Sequence, residues 1–503
     1  MVDLSGSLSI IGLIGLLLYS TVVRFIQWRR LSHIPGPLGV GWSKLWLLRH
    51  VASGKLPKKL EEISGDYGPL VRIGPKWVVC SDPTEIRRMW AIRSGFHRGS
   101  WYSSIRLSAE EENIFTLLGN KEHHHLRARL LPGYVGRGFS DDEKKVDAQI
   151  EKLIRLIERN YISSSSALRP CDLARTMQFL TQDVITAVGF GQSAGYLDVD
   201  EDIYGIIEAT QTLLLPAHIV TVLPFIGKIL ASPLMRPFLP KATDKQGVGR
   251  FLAVVKGHVD KRYGSEKIRR DDMLQTFVDS DLRRTQVESE ALVTLFGGTD
   301  TTATAIRNAI FFLSTNPSVY HKLQIEIDAS AKSVDRPVIS DQQAKGLPYL
   351  QACIKESLRL WPPSMGMMGK VSDRDEMLCG IKVPAQTQIG WAPLAIMKDP
   401  HVFGENAGIF EPARWLEAEP EKLKEMDWVY GLVFATGTRW ECLGKKLAYI
   451  ELGKVLFELL HRFDFAMVNP MEPFKWANHG FTTQQNMNAK ITQRKVSTDE
   501  SLL

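Results

Sequence analysis

Apolar positions crowd the start of the chain. Leu8 to Val23 is almost unbroken (LSIIGLIGLLLYSTVV), and Phe25, Ile26 and Trp28 extend it. That approaches the ~20 residues with which a helix crosses a bilayer. Arg24, Arg29 and Arg30 follow the run and only Asp3 precedes it, a bias that predicts a cytosolic position for what comes next. A cleaved signal peptide would carry its basic cluster before the run and a small-residue site after it, and neither is there. Pro35-Gly36-Pro37 ends the helix in a stiff elbow, so residues 1–34 read as an anchor region and 35–503 as the body. Within the body, residues 55 to 100 predict a helix and then two short strands, Leu70 to Ile73 and Trp77 to Ser81, with Gly74-Pro75 between them. Helical periodicity dominates from about 120 to 360, including a long apolar stretch from Ser289 to Leu313. Strand patterning returns around Ile381, Val383 and Ile389. After residue 445 a further helix places Ala448, Leu452, Val455, Leu456, Leu459 and Phe463 on one face, and a strand-like segment closes the chain. The expected fold is mainly α, of the α+β kind, with no internal repeat and no linker between about 40 and 495.

Composition narrows the functional classes. With 44% hydrophobic and 23% charged residues, the chain is globular and long enough to enclose a cofactor. Its 62 basic and 56 acidic residues leave a net charge of +6, spread without a Lys/Arg run, which argues against a nucleic-acid partner. A local basic face for an acidic protein partner stays open. The five cysteines, Cys80, Cys171, Cys353, Cys379 and Cys442, are scattered and contain no C-x-x-C. This speaks against a disulfide scaffold or zinc ribbon and for a reducing compartment.

Three segments carry candidate chemistry. In the first, a Gly-containing loop from Phe434 through Gly437 and Arg439 leads to Cys442 and Gly444, and a helix starts directly behind it. A cysteine at a helix N-terminus is stabilised as thiolate, and a thiolate is what haem iron uses to favour O–O cleavage; a buried structural cysteine is the bland alternative. In the second, Glu356 and Arg359 share a helix face, with Arg414 as a candidate third member; an ordinary surface ion pair is the alternative. In the third, Gly297-Gly298 interrupts a helical pattern at roughly 1 kcal/mol per glycine relative to Ala, which points to close approach or local distortion. Asp300 and Thr301 then set an acid beside an alcohol, suited to proton relay, or else the segment is a glycine-mediated helix contact.

Together these segments resemble the cytochrome P450 family over nearly the whole chain. The family's acid–alcohol element matches Gly297 to Thr302, its Glu-x-x-Arg matches Glu356 and Arg359, followed by Trp361-Pro362-Pro363, and its aromatic-Pro-x-Arg element resembles Phe410 to Arg414. The cysteine loop departs by one residue: Phe434 to Cys442 spans eight positions where the family has seven, so Arg439 stands three before the cysteine rather than two. The resemblance implies haem b with Cys442 as axial ligand and metal ligand, and Phe434, Gly437 and Gly444 shaping its loop. It also implies His123 and Arg127 beside the haem and propionate contacts from Arg439 and from Lys370, where the family often has Arg. Three consecutive helical histidines cannot face one ion, so His123-His124-His125 is not expected to bind a metal; solvated surface histidines are the alternative.

The same resemblance implies a monooxygenase using O2 and electrons from NADPH-cytochrome P450 reductase, since no G-x-G-x-x-G follows a strand. Lys445 and Lys446 are candidates for docking it, or part of a solvated helix face. It further implies a single-pass endoplasmic reticulum protein with a cytosolic catalytic domain. Tyr67 to Pro75 and His123 to Tyr134 resemble fungal members, especially pisatin-demethylase-like enzymes of secondary metabolism, implying an apolar small-molecule substrate. Expected pocket segments are Trp101 to Ser108, Thr210 to Leu215, Leu295 to Thr302, Ser364 to Met368, and Phe481-Thr482, with Met365, Met367 and Met368 as an adaptable wall. A reductase-free haem enzyme, such as an isomerase, a dehydratase or a peroxide-driven enzyme, would not need Asp300-Thr301. A haem sensor or structural membrane protein would show no turnover.

Overall fold

A computed structural model describes residues 4–106, 111–136, 139–230, 232–263, 267–334 and 336–494. Positions 1–3 of the anchor region, 107–108 of the expected pocket and 495–503 of the catalytic body lie outside the described residues.

The N-terminal apolar run forms one helix, α1 (Leu4–Arg30). Its C-terminal end is fixed to the body. Trp28 stacks on Trp42 with ring centroids 5.2 Å apart, and the buried Arg72 guanidinium donates to the carbonyls of Trp28 at 2.9 Å and Gln27 at 3.2 Å. A cation on the last carbonyls of a helix also meets the negative end of its dipole. The elbow lies along the first strand, with Arg72 N–H donating to Pro35 O at 2.7 Å. A Cβ on Gly36 would sit 2.2 Å from the Arg72 carbonyl oxygen, so only glycine permits that approach.

The strand-rich part is a five-stranded mixed sheet built from β1 (Leu70–Gly74), β2 (Trp77–Cys80), β3 (His97–Arg98), β5 (Lys370–Val371) and β8 (Gln388–Trp391), in the order β1-β2-β8-β5-β3. Only β2 and β8 run parallel. Between β2 and β3 lies helix α2 (Pro83–Trp90), capped by Asp82. A hairpin of β6 (Glu376–Leu378) and β7 (Ile381–Val383) stands apart. β4 (Cys171–Asp172) joins β12 (Asn488–Gln493) and β9 (Phe463–Met467), while β10 (Lys475–Asn478) pairs with β11 (Thr482–Gln485).

The helical part contains α3 (Asn120–Val135), α4 (Leu173–Phe190), α5 (Ile206–Val222), α6 (Arg284–Ser314), α7 (Pro348–Leu360) and α8 (Lys445–Arg462). Nearly every residue of α4 is buried, its polar side chains such as Gln178, Thr181 and Asp183 included. It packs along α6, which also touches α7 and α8. The Gly297-Gly298 pair does not break α6, which continues for 31 residues. A Cβ on Gly298 would meet Ile185 of α4 at 2.7 Å, so this glycine serves helix–helix approach. Gly297 has open space at its Cβ position. Among the described residues, the segment long and apolar enough to cross a membrane is Ile203–Val222, but it packs against neighbouring helices of the body.

Candidate active site

Where the helical and strand-rich parts meet, one cavity is lined by both the cysteine loop and the middle of α6. The loop starts from a tight turn at Gly431–Phe434. Ala435 and Gly437 then take left-handed backbone, φ 51° and 73°, which reverses the chain so that Cys442 N–H donates to Phe434 O at 2.9 Å. The interval that is one residue longer than expected is absorbed within the loop: the Thr438 hydroxyl donates to Ala435 O at 2.7 Å, and Trp440 N–H donates to that hydroxyl at 3.2 Å. Arg127 of α3 donates to Glu441 O at 2.5 Å. Cys442 is accessible through the cavity yet deep in the protein mass. Burial pushes its thiol up, and the N–H groups of Gly444 and Lys445, with Arg127, oppose that. These donors at the start of α8 favour thiolate.

Gly297 and Thr301 of α6 also line the cavity. The Thr301 hydroxyl donates to Gly297 O at 2.6 Å, which fixes it on the cavity-facing side of the helix. Asp300, one residue earlier, points elsewhere, because successive helical positions diverge by about 100°. Its buried carboxylate accepts from Gln178 of α4 and, at 3.5 Å, from Gln211 of α5. Burial raises its pKa, opposed by Arg307, Gln178 and Gln211. The acid and the alcohol are therefore adjacent in sequence but face different surroundings.

Four basic side chains, Arg98, His123, Arg127 and Lys370, line the cavity beside Trp90 and Tyr102, and Arg439 lies outside its wall. His123 is buried with its Nδ1 unpartnered, and it is pushed down to about 2 by burial and then by Arg98, Arg127, Lys370 and Arg439. Arg98 is buried and lowered to about 10 by burial; it donates to Ile114 O at 2.6 Å. Lys370 is 1% exposed and held well below its usual range by burial and then by Arg98. Its ammonium donates to Tyr102 Oη at 2.5 Å and Met368 O at 3.0 Å. Arg439 donates to Ile92 O and Ser94 O and leaves Nη1 buried without a partner. Among the described residues, no ion pair involves Arg98, Arg127, Lys370 or Arg439. Buried charge without a counter-charge is costly, so the cluster asks for a dianionic ligand. Haem carries two carboxylates and needs an axial donor, and this cavity has a cation cluster and Cys442. The residues present fit the group.

Lys370→Met is accordingly expected to act with opposite signs on two states. The haem-free protein should become more stable, because an uncompensated buried cation is removed. Haem release to apomyoglobin should quicken roughly tenfold, about 1.4 kcal/mol. His123, neutral far above its lowered pKa, should add no inflection to haem retention between about pH 5 and pH 8. Unchanged release from Lys370→Met would remove this lysine from the ligand's binding.

Glu356, Arg359 and Arg414 come together away from the cavity. Glu356 Oε2 and Oε1 each accept from Arg359 at 2.8 Å, Oε1 also accepts from Arg414 at 2.9 Å, and Oε2 accepts from the Trp415 indole at 2.9 Å. All three are buried, so the surface-pair reading fails.

The expected pocket segments divide. Tyr102, Ile105, Phe296, Ser364, Met368 and Phe481 line the cavity. Thr210 to Leu215 does not, because α5 sends Gln211 to Asp300 instead. Thr482 is engaged in β11, and Met365 and Met367 are buried outside the cavity wall, which leaves Met368 alone of the three methionines on the wall. His124 and His125 are exposed while His123 is buried. Arg98, Trp90 and Gln178 were not singled out from sequence, and Gln211 only within an expected pocket segment: no local pattern marks them, and their roles arise from what surrounds them in space.

The sequence model of the cytochrome P450 family matches residues 35–489. The "cytochrome P450 monooxygenase ABA1" of Pyricularia oryzae is 36% identical over 487 residues, covering 95% of each chain. The "cytochrome P450 monooxygenase aba1" of Botryotinia fuckeliana is 36% identical over 475 residues, covering 92% of each. The "cytochrome P450 monooxygenase abl1" of Leptosphaeria maculans is 33% identical over 479 residues, 93% of this chain and 84% of that one.

Proposed function

The chain belongs to the cytochrome P450 family and is a monooxygenase of that family, and from that premise we propose that it inserts one atom of O2 into an apolar small molecule of fungal secondary metabolism. In this reading, electrons come from NADPH-cytochrome P450 reductase, and α1 anchors the protein to the endoplasmic reticulum membrane with the catalytic body in the cytosol. The observation that carries the reading is the shared cavity in which Cys442, the cation cluster and the Thr301 hydroxyl meet among apolar walls.

Haem b, when bound, supplies O2 binding and one-electron chemistry. Everything else falls to the chain. Cys442 donates its thiolate, and the Gly444 and Lys445 N–H groups moderate its charge. His123, Arg127, Lys370 and Arg98, which line the cavity, would hold the carboxylates. Ile114, Phe296 and Phe481 line the cavity and exclude water from the reacting side. The Thr301 hydroxyl rests on Gly297 O and would turn from it to pass a proton into the cavity. Asp300, with a pKa raised by burial, exchanges its proton on the α4–α5 side, where Gln178 and Gln211 orient its carboxylate. Lys445 is part of the electron-entry face, where it is steadied by Glu441 at 3.2 Å and Thr436 at 3.0 Å.

The test is turnover of candidate apolar metabolites by the chain with reductase and NADPH, with products identified by mass spectrometry. With a true substrate, Thr301→Ala should keep the haem spectrum and still consume NADPH. Product per NADPH should fall roughly tenfold or more, with hydrogen peroxide released. Thr301→Ser, which keeps the hydroxyl, should retain more coupling. Equal product per NADPH in the wild type and Thr301→Ala would sink the relay. Turnover without reductase would favour the peroxide-driven or isomerase readings.

A further inference from the structure

Two of the five cysteines lie side by side although they are 299 positions apart in the chain. The Cys80 and Cys379 sulfurs are 3.9 Å apart. Cys80 ends β2 and is fully buried, whereas Cys379 is partly exposed. Cys379 and Gly380 form the two-residue turn between β6 and β7, since Leu378 pairs with Ile381. Both turn residues are left-handed, φ 50° and 74°. Such a turn prefers Asn or Asp at its first position, and a cysteine there bears a conformational cost. What the chain gains from a cysteine at that position is a sulfur against Cys80. The remaining cysteines are committed elsewhere or shut away. Cys171 is hydrogen-bonded to Thr176, Cys353 is buried, and Cys442 lines the haem cavity.

We propose that Cys80 and Cys379 are a reversible dithiol–disulfide site, oxidised by a small-molecule disulfide such as glutathione disulfide. A disulfide needs its sulfurs about 2.05 Å apart, so they must approach by roughly 2 Å. The hairpin is already held in register for this. Cys379 N–H donates to Glu85 Oε1 at 3.2 Å, and Arg88 donates to Met377 O at 2.8 Å. The approach then falls to the side chains and the turn.

The roles follow from access. Cys379 thiolate attacks one sulfur of glutathione disulfide, and one glutathione thiolate leaves. The Cys80 thiol attacks the Cys379 sulfur and gives its proton to the second glutathione thiolate as that group leaves. Two protein thiols become one disulfide, and glutathione disulfide takes up the two electrons. Cys80 is fully buried and Cys379 is not, so glutathione meets Cys379 first and Cys80 takes the second, intramolecular step. The bond would tie the hairpin to the strand beside the haem cavity: Cys80 pairs with Trp391 across β2 and β8, and Trp391 lines that cavity.

The experiment equilibrates the purified holoenzyme, without oxygen, in glutathione buffers of increasing oxidised fraction. Thiols are then alkylated and peptides mapped by mass spectrometry. A Cys80–Cys379 cross-linked peptide should accumulate with oxidation and disappear on return to reduced glutathione. Cys379→Ser should abolish it, and Cys80→Ser should leave glutathione on Cys379. Retention of the thiolate-type carbonyl spectrum would show that these variants fold and that Cys442 is untouched. Full alkylation of both cysteines across the series, or glutathione remaining on Cys379 of the wild type, would overturn the proposal.

Discussion

Glu356→Gln should give a protein that fails to hold its haem at ordinary growth temperature, destabilised by about 3–5 kcal/mol, the range for breaking a buried charge network from one side. Glu356 is fully buried, and among the described residues its carboxylate is the one counter-charge of both Arg359 and Arg414 that is itself buried. The arginines in turn hold the loop above them: Arg359 donates to Met397 O at 2.5 Å and Ala407 O at 2.7 Å, and Arg414 donates to Phe403 O at 2.5 Å. Glu411 N–H also donates to Glu356, at 3.0 Å. The amide removes the charge and one acceptor oxygen together, leaving two guanidinium groups in the core. Thermal unfolding of the holoenzyme in detergent checks this. A shift equivalent to less than about 1 kcal/mol, the range of a surface pair, would mean the network carries no load.

Cys442→Ala should reduce substrate oxidation to background while leaving a folded protein. The side chain is small, and the loop is held by backbone bonds, Cys442 N–H to Phe434 O among them, which alanine keeps. The loss is therefore chemical: no other thiol is in the cavity wall. Circular dichroism like the wild type with no product formation is the expected pair of results. Product formation at the wild-type rate would move the axial ligand elsewhere.

Much of this was legible in the sequence because the signals are local. The apolar run gives α1, the stretch from Ser289 to Leu313 gives α6, and the loop before residue 445 gives Cys442 at the start of α8. Glu356, Arg359 and Arg414 were legible as partners through their motifs, but not the Trp415 indole that joins them. What the sequence hid depends on direction and burial. Asp300 and Thr301 read as one pair, yet the helix turns them to different sides. Arg98 is unremarkable in a strand and matters because it is buried with no ion pair among the described residues. Thr210 to Leu215 was assigned to the pocket, but the face that α5 presents is fixed by its packing on other helices. The meeting of Cys80 with Cys379 needs the sheet and the hairpin already assembled.

The central claim is that Cys442 holds haem as thiolate in this cavity. The optical spectrum of the dithionite-reduced, carbon monoxide-bound protein tests it most directly, for the wild type beside Cys442→Ala. The wild type should show the red-shifted Soret band of thiolate ligation, and Cys442→Ala should lack it. A wild-type band at the position typical of nitrogen-ligated haem in freshly purified, active protein, or a red-shifted band that survives in Cys442→Ala, would contradict it.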